Sequence, residues 1–135
     1  MAPIKGSCLC GAVTFEITGR PLHLTYCHCD RCRKASGLSS AVVMVKAADF
    51  RLLTGADQIR TYEPPAPWIH KRCFCGICGS SLGEPLGGHE VFPIAASALD
   101  DDPGIRPVLH MNVASKPDWH GIGDAVKQIP GNYGE

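Results

Sequence analysis

Apolar and polar residues alternate along much of the chain, with the period of two that is typical of half-buried β-strands. The segments Val13–Ile17 and Leu22–Tyr26 show this alternation clearly. The segment Ala41–Val45 is apolar throughout, which predicts a strand that is buried on both faces. Further strands are predicted at Phe50–Leu53, Gln58–Tyr62, Ile69–Phe74, Val91–Ala96 and Val108–Val113. The pattern as a whole predicts a mainly β fold built from many short strands.

Prolines and glycines leave room only for short helices. One helix is predicted at Asp30–Ser36, ended by Gly37, and a single turn is predicted after Pro117. The proline-rich segment Glu63–Trp68 predicts a stiff surface loop. Pro93 lies inside a predicted strand. Because proline has no N–H to give to a sheet, it predicts an edge position or a bulge there.

Length and charge narrow the class of protein. A chain of 135 residues can bury one ordinary core, and we interpret residues 1–135 as a single domain. Its 13 basic and 13 acidic residues cancel, which argues against a nucleic acid or a membrane surface held by bulk charge. The first residues contain no hydrophobic signal segment, and no apolar run approaches the ~20 residues of a membrane span. A cytoplasmic location is therefore expected.

The eight cysteines are the most unusual feature of the composition. The cytoplasm keeps thiols reduced, so clustered cysteines there favour a metal site over disulfides. They form three tight groups, which are Cys8 and Cys10; Cys27, Cys29 and Cys32; and Cys73, Cys75 and Cys78. Such separate groups are typical of metal sites whose ligands come from different hairpins.

Two of these groups predict a closed zinc site. Cys75 and Cys78 form a C-x-x-C turn, whose two thiolates can bind one metal from the same side. Gly79 follows the turn and tolerates the positive φ that such a turn often requires. The C-x-C pair of Cys8 and Cys10 supplies two more thiolates. Four thiolates complete a tetrahedral zinc site of the structural kind.

The middle group predicts a second zinc site that is open. Cys27 and Cys29 share one face of an extended segment, and Cys32 can join them if the chain then turns into a helix. Three protein ligands leave the fourth position of zinc free, as in catalytic sites. Two alternatives remain. Cys73 could close this site as the eighth ligand, or the chain could hold one zinc ion and several ordinary buried thiols.

Three segments around the cysteines carry specific motifs. Gly6–Phe15 contains the C-x-C pair, Cys27–Gly37 reads C-H-C-x-x-C-R-x-x-S-G, and Phe74–Leu82 contains F-C-x-x-C-G. In this order, the segments resemble the motifs of the glutathione-dependent formaldehyde-activating enzymes, also called the GFA or CENP-V-like family. Weaker similarities follow toward the end of the chain.

The resemblance implies a fold, two zinc ions and a reaction. The implied fold is an Mss4-like β-tent, in which zinc clamps several small twisted antiparallel sheets. The positions that match the family's structural zinc ligands are Cys8, Cys10, Cys75 and Cys78. The positions that match its catalytic zinc ligands are Cys27, Cys29 and Cys32. The family's namesake reaction joins glutathione and formaldehyde into S-(hydroxymethyl)glutathione, a reaction of the carbon–sulfur lyase class. Cys73 lies outside the family pattern.

We therefore predict a zinc-dependent enzyme that acts on a small thiol, such as glutathione, or on its aldehyde adduct. The basic residues Arg31, Arg33 and Lys34 of the predicted helix could contact the carboxylates of glutathione or simply face solvent. His28 and His70 are candidate proton donors, although an ordinary surface or core role is the simpler interpretation of His70.

Two other classes of function are compatible with the cysteine pattern. The first is a non-catalytic zinc-binding interaction module that recognises a protein or a nucleic acid. Neutral charge and the lack of an aromatic stacking set argue against a nucleic-acid module. The second is a redox or sulfoxide-repair enzyme of the same fold type, in which Cys73 would be the remaining nucleophile. Fold alone does not decide between them.

Overall fold

The computed structural model describes residues 2–134 and is mainly β, as predicted. The strands are β1 (Ile4–Ser7), β2 (Thr14–Ile17), β3 (His23–Cys27), β4 (Ser40–Lys46), β5 (Phe50–Thr54), β6 (Ile59–Tyr62), β7 (Arg72–Cys75), β8 (Ser81–Gly83), β9 (Val91–Ala95) and β10 (Pro107–Met111). The helix α1 spans Asp30–Ser36, and short 3₁₀ turns lie at Ala47–Asp49, Ala56–Gln58, Ala96–Ala98 and Val113–Ser115. Within residues 2–134, no helix is long and apolar enough to cross a membrane.

The strands form two sheets. A three-stranded antiparallel sheet has the order β1-β2-β5, and a seven-stranded sheet has the order β10-β3-β4-β9-β8-β7-β6. All neighbours in the larger sheet are antiparallel except β10 and β3, which are parallel. This one parallel pair is a difference from the antiparallel pairing that the resemblance implies. The parallel pairing places Met111 opposite Cys27, at the end of the strand that leads into the middle cysteine group.

One apolar core joins the two sheets. In the smaller sheet, Phe15 on β2 is buried and its ring lies 5.5 Å from that of Phe50 on β5. The Phe50 ring then lies 5.3 Å from that of Phe92 on β9, in the larger sheet. These three rings bridge the sheets, and the buried aliphatic residues around them are Ile4, Val13, Ile17, Val43, Val45, Leu82 and Ile94.

Most of the predicted elements are confirmed, with small differences at their ends. The helix has the predicted bounds, Asp30–Ser36, and Gly37 ends it with a φ of 99°. The turn after Pro117 is present, because the N–H of His120 donates to the carbonyl of Pro117. The strand β1 was not predicted as a separate element. With four residues, it is too short for a period of two to be visible.

The strand β4 differs from its prediction in burial. The segment Ala41–Val45 is apolar throughout, but only Val43 and Val45 are buried. Val42 and Met44 point to the other face of the sheet, where they line the large cavity described below. The unbroken apolar run thus reflects one face in the core and one face in a cavity, rather than burial on both faces.

The expected edge position or bulge at Pro93 is also wrong. Pro93 lies in β9, between β4 and β8, and its register with β4 is regular. The carbonyl of Met44, opposite Pro93, accepts a hydrogen bond from the N–H of Leu22 on the far side of β4. Pro93 therefore occupies a non-hydrogen-bonded position opposite β4. The absence of an N–H at Pro93 removes no hydrogen bond between β9 and β4. Its carbonyl turns toward β8 and accepts from the N–H of Glu84.

The close approach of β8 to β9 requires a glycine at position 83. Gly83 has a φ of 83°, and a Cβ there would lie 2.4 Å from the Pro93 carbonyl oxygen. Gly88 has a similar φ of 80°, but nothing lies within 4 Å of the corresponding Cβ position. We expect Gly88→Ala to lose roughly 1–2 kcal/mol of stability from backbone strain alone. Gly83→Ala should lose on the order of 1–3 kcal/mol more, because the strands must separate.

Thermal unfolding of the two variants and the wild type, all under the same buffer and metal conditions, measures this difference. Equal losses in the two variants would show that the β8–β9 contact can relax and does not constrain the sheet.

Candidate functional site

The four-cysteine cluster consists of Cys8, Cys10, Cys75 and Cys78, whose sulfur atoms all lie within 4.8 Å of one another. The Sγ atoms of Cys8 and Cys10 are 3.7 Å apart, and those of Cys10 and Cys75 are 3.9 Å apart. Four thiolates placed about 2.3 Å from a tetrahedral zinc ion are roughly 3.8 Å apart. The sulfur positions therefore fit a zinc ion.

Two tight turns present these four sulfurs. The N–H of Gly11 donates to the Cys8 carbonyl at 3.1 Å, and the N–H of Gly79 donates to the Cys75 carbonyl at 2.8 Å. Both glycines have a left-handed φ, of 80° and 78°. This conformation is costly for other residues, so the glycine after each cysteine pair allows the chain to fold back. The prediction for Gly79 is thus confirmed, and Gly11 plays the same role in the first turn.

Ser80 connects the two turns. Its hydroxyl oxygen accepts a hydrogen bond from the N–H of Leu9 at 2.8 Å and lies 3.3 Å from Cys78 Sγ. The hydroxyl can therefore donate its own proton to the Cys78 sulfur. This hydrogen bond, together with the backbone amide of Ser80, lowers the pKa of the Cys78 thiol to about 5. A lowered pKa favours the thiolate, which is the form that binds metal.

The three-cysteine cluster consists of Cys27, Cys29 and Cys32, again with all sulfur atoms within 4.8 Å of one another. Cys27 ends β3, Cys29 is the N-cap of α1, and Cys32 lies in the first turn of that helix. The N–H of Cys32 donates to Cys29 Sγ at 3.2 Å, so one ligand also caps the helix that carries another. The structure thus brings together the three residues that the sequence predicted.

Residues that are distant in sequence complete this cluster. The side-chain amide of Asn112 donates to Cys27 Sγ at 3.3 Å, and the Arg72 guanidinium donates to Cys32 Sγ at 3.4 Å. Hydrogen bonds from the Cys27 and Cys29 thiols, with that of Arg72, hold the pKa of Cys32 below its ordinary value. Sequence reasoning missed both Asn112 and Arg72, because no local motif marks a residue that reaches the site from another strand.

The three-cysteine cluster lies in the wall of a cavity of about 1160 Å³. Val42 and Met44 of β4 supply apolar surface, and Arg31, Trp68 and Arg72 supply cationic and aromatic surface. The Arg31 guanidinium lies over the Trp68 ring, 4.2 Å from its centroid. A cavity of this size can hold a small organic molecule.

The predicted basic edge of the helix is only partly present at the cavity. Arg31 lines it, whereas Arg33 forms an ion pair with Asp30 at 3.3 Å, and neither Arg33 nor Lys34 lines the cavity. The cationic lining is instead completed by Lys71 and Arg72, on the segment that enters β7.

His28 faces away from the cavity, as expected for the residue between two cysteines of an extended segment, and it is buried. Its Nε2 lies 2.8 Å from His110 Nδ1, and His110 Nε2 lies 3.0 Å from an Asp124 carboxylate oxygen. Burial lowers the pKa of His28, which favours its neutral form. The chain His28–His110–Asp124 therefore supports the cysteine loop from behind, and this geometry does not support His28 as a proton donor to the cavity.

His70 and Cys73 have different surroundings from the cysteine clusters. His70 lines the cavity and its Nδ1 lies 2.8 Å from Glu84 Oε1. Cys73 is buried in β7, with only 2% of its surface exposed, and its sulfur lies 3.6 Å from Thr61 Oγ1. Cys73 belongs to neither cysteine cluster, so the structure does not support it as an eighth ligand.

The protein is therefore a mainly β domain with two cysteine clusters that can hold metal ions. The chain belongs to the glutathione-dependent formaldehyde-activating enzyme family, whose sequence profile matches residues 3–115. The resemblance seen in the motifs is thereby confirmed.

Two relatives are similar over most of the chain. A curated protein of Halomonas elongata, named provisionally as a glutathione-dependent formaldehyde-activating enzyme, is 32% identical over 123 residues, which are 86% of this chain and 78% of the relative. The crystal structure of a Rhodobacter sphaeroides protein has a similar fold, with a TM-score of 0.59 and 26% identity. The match covers 77% of this chain and 98% of the Rhodobacter chain.

Proposed function

We propose that the protein is a zinc-dependent enzyme of the carbon–sulfur lyase type, which acts on adducts of a small thiol and an aldehyde. The observation that carries this proposal is the convergence of three cysteine sulfurs in the wall of a cavity with cationic and apolar lining. Family membership and the name of the Halomonas relative support glutathione and formaldehyde as the reactants.

The proposal assigns two zinc ions to each chain. The four-cysteine cluster holds a structural zinc, because four thiolates fill the tetrahedral coordination of zinc and leave no position for a substrate. The three-cysteine cluster holds a catalytic zinc, because three thiolates leave one position for a substrate atom. None of the eight cysteines is paired in a disulfide, so the seven cluster sulfurs are available to bind metal. A cytoplasmic location, where thiols stay reduced, is part of this proposal.

A zinc ion in the three-cysteine cluster would stabilise a bound thiol as the thiolate or polarise an aldehyde oxygen. The chain's own residues orient this site, since Asn112, Arg72 and the N–H of Cys32 each donate to one of the three sulfurs. Such hydrogen bonds to metal ligands fix their positions and tune their basicity. Arg31, Lys71 and Arg72 outnumber the two lining carboxylates, Asp30 and Asp100, and this surplus of positive charge would suit the two carboxylates of glutathione.

The proposed reaction balances without any further reagent. The sulfur of the thiol forms a bond to the aldehyde carbon, and the carbonyl π bond opens. The proton that leaves the thiol is matched by the proton that the aldehyde oxygen gains. No electron acceptor or donor is needed, and the reverse reaction releases the thiol and the aldehyde.

The repair-enzyme alternative has no support from the structure. Its nucleophile would have to be Cys73, because the other seven cysteines lie in the two clusters. A side chain that is 2% exposed, between neighbouring strands, offers no access to a substrate. The non-catalytic interaction module remains the rival that experiments on the three-cysteine cluster can distinguish.

The four-cysteine assignment predicts that Cys78→Ser unfolds or becomes insoluble. Structural zinc contributes directly to folding, and three remaining thiolates hold it less tightly. Cys73→Ser is the matched control, since it replaces a buried cysteine of the adjoining strand β7 that belongs to neither cluster. We expect this control to retain its fold and both zinc ions. Zinc content after dialysis and circular dichroism measure the outcome.

A soluble, folded Cys78→Ser variant that keeps both zinc ions would contradict the structural assignment. Loss of one zinc ion from Cys73→Ser would instead show that this cysteine is a ligand.

The catalytic assignment predicts that Cys29→Ser abolishes thiol binding and leaves the fold largely intact. Serine is a good helix N-cap, so the start of α1 is preserved while the metal ligand is lost. Calorimetric titration of glutathione into wild type and variant measures binding, and exchange spectroscopy of the glutathione–formaldehyde equilibrium measures turnover. In the wild type, zinc occupancy of the three-cysteine cluster should be lower than that of the four-cysteine cluster.

The enzyme proposal fails if wild type and Cys29→Ser bind glutathione identically. It also fails if the wild type neither binds a small thiol nor accelerates the exchange, and the interaction module then becomes the better explanation.

The cationic lining predicts a dependence on substrate charge. Arg31→Gln should weaken glutathione binding about tenfold, equal to roughly 1.4 kcal/mol, because it removes one charged contact. Binding of an uncharged thiol such as 2-mercaptoethanol should be unaffected. Lys34→Gln is the control, since Lys34 lies on the same helix but does not line the cavity. If Arg31→Gln and Lys34→Gln have the same effect on glutathione, then Arg31 makes no specific contact.

A further inference from the structure

We propose that His70, Glu84 and His89 form a third metal site, which binds a divalent transition metal ion and is separate from both cysteine clusters. These residues are called here the histidine–glutamate cluster. Their candidate ligand atoms all lie within 4.8 Å of one another. This proposal is independent of the proposed function, because it involves none of the eight cysteines.

Strand pairing places His70 and Glu84 side by side, and the connection between β8 and β9 adds His89. The strands β7 and β8 are antiparallel neighbours, and Gly83 at the end of β8 is the partner of Cys73 near the start of β7. Glu84, which follows β8, therefore lies close to His70, which precedes β7. His89 lies in the short connection that leads from Glu84 into β9. The cluster thus combines two residues placed by strand pairing with one residue of a connecting loop.

Glu84 is the centre of the cluster and its side chain is fully buried. Its Oε1 lies 2.8 Å from His70 Nδ1, and its Oε2 accepts a hydrogen bond from the N–H of Lys71. The chain also packs tightly around it, because a Cβ at position 87 would lie 2.3 Å from the Glu84 carboxyl carbon. A buried carboxylate is costly unless cations, metal ions or hydrogen-bond donors surround it.

The position of His89 is the observation that points to a metal. Its Nε2 lies 3.8 Å from Glu84 Oε2, which is too long for a hydrogen bond. Two ligand atoms that are each about 2.1 Å from a tetrahedral metal ion lie roughly 3.4 Å apart. The distances of 2.8 Å and 3.8 Å from the carboxylate to the two histidines lie on either side of this value. The ring of His89 also packs edge-on against that of His70, with centroids 5.1 Å apart, so both imidazoles lie beside the same buried carboxylate.

The chemistry of the donor set selects the kind of ion. Two imidazoles and one carboxylate suit zinc, iron and other first-row divalent ions, whereas magnesium and calcium prefer oxygen ligands. Both histidines are partly exposed, with 43% and 37% of their side-chain surface accessible, so an ion can enter from solvent. His70 also lines the large cavity, so a bound ion would fix the segment that carries Trp68 and Lys71.

The test uses protein whose cysteine clusters are loaded with zinc, and Co²⁺ as the probe. Equilibrium dialysis should show about one additional equivalent of Co²⁺ bound to the wild type. Its visible spectrum should show the weak absorption of cobalt with nitrogen and oxygen ligands, without the strong near-ultraviolet band of cobalt thiolates. The absence of that band distinguishes the third site from exchange at the cysteines.

Three variants assign the ligands. His89→Ala and Glu84→Gln should each lower the Co²⁺ affinity by more than about tenfold. Loss of a residue that only hydrogen-bonds to a metal ligand already lowers metal affinity by about tenfold or more, and loss of the ligand itself has a larger effect. His23→Ala is the control, because it removes an exposed histidine outside the cluster and should bind Co²⁺ as the wild type does. His89 makes no hydrogen bond to Glu84, so His89→Ala should fold even if Glu84→Gln does not.

The proposal is overturned if the wild type binds no additional Co²⁺ at millimolar concentration. It is equally overturned if His89→Ala binds Co²⁺ as tightly as the wild type and the His23→Ala control.

Discussion

The convergence of two cysteine turns holds the two sheets of this protein together. Cys8 follows β1 of the three-stranded sheet, and Cys75 ends β7 of the seven-stranded sheet. Both side chains are buried and belong to the apolar core, and the hydroxyl of Ser80 links the two turns by hydrogen bonds. A metal ion at this point would join elements that are more than 60 residues apart in sequence. The aromatic bridge of Phe15, Phe50 and Phe92 is a second contact between the same two sheets.

The strand β7 couples this structural centre to the candidate catalytic centre. Its last residue, Cys75, belongs to the four-cysteine cluster, and its first residue, Arg72, donates to Cys32 of the three-cysteine cluster. Four residues of rigid strand therefore set the distance between the two clusters. Side chains held by paired strands are positioned more accurately than side chains on free loops. His70 of the histidine–glutamate cluster lies just before the same strand, so residues on or beside β7 contact all three clusters.

The sequence predicted what depends on local spacing and missed what depends on strand pairing. The C-x-x-C turn, the helix after Cys29 and the glycine after Cys78 follow from neighbours in the chain, and they were found. Asn112 contacts a cysteine 85 residues away, and no local pattern indicates such a partner. Cys73 shows the limit of periodicity. It does share a buried face with Cys75, but two residues of strand span roughly 6.6 Å, which places its sulfur beyond the cluster.

The difference in surroundings between the two cysteine clusters explains their proposed division of roles. Zinc with four thiolates carries a charge of about −2, and zinc with three carries about −1. Neutral donors, the hydroxyl of Ser80 and the N–H of Val13, contact the four-cysteine cluster. A guanidinium, that of Arg72, contacts the three-cysteine cluster and offsets its smaller negative charge. An anionic thiol would be repelled by an uncompensated thiolate cluster. The Arg72 guanidinium at Cys32, together with Arg31, which precedes Cys32 in α1 and also lines the cavity, would make the approach of such a substrate favourable.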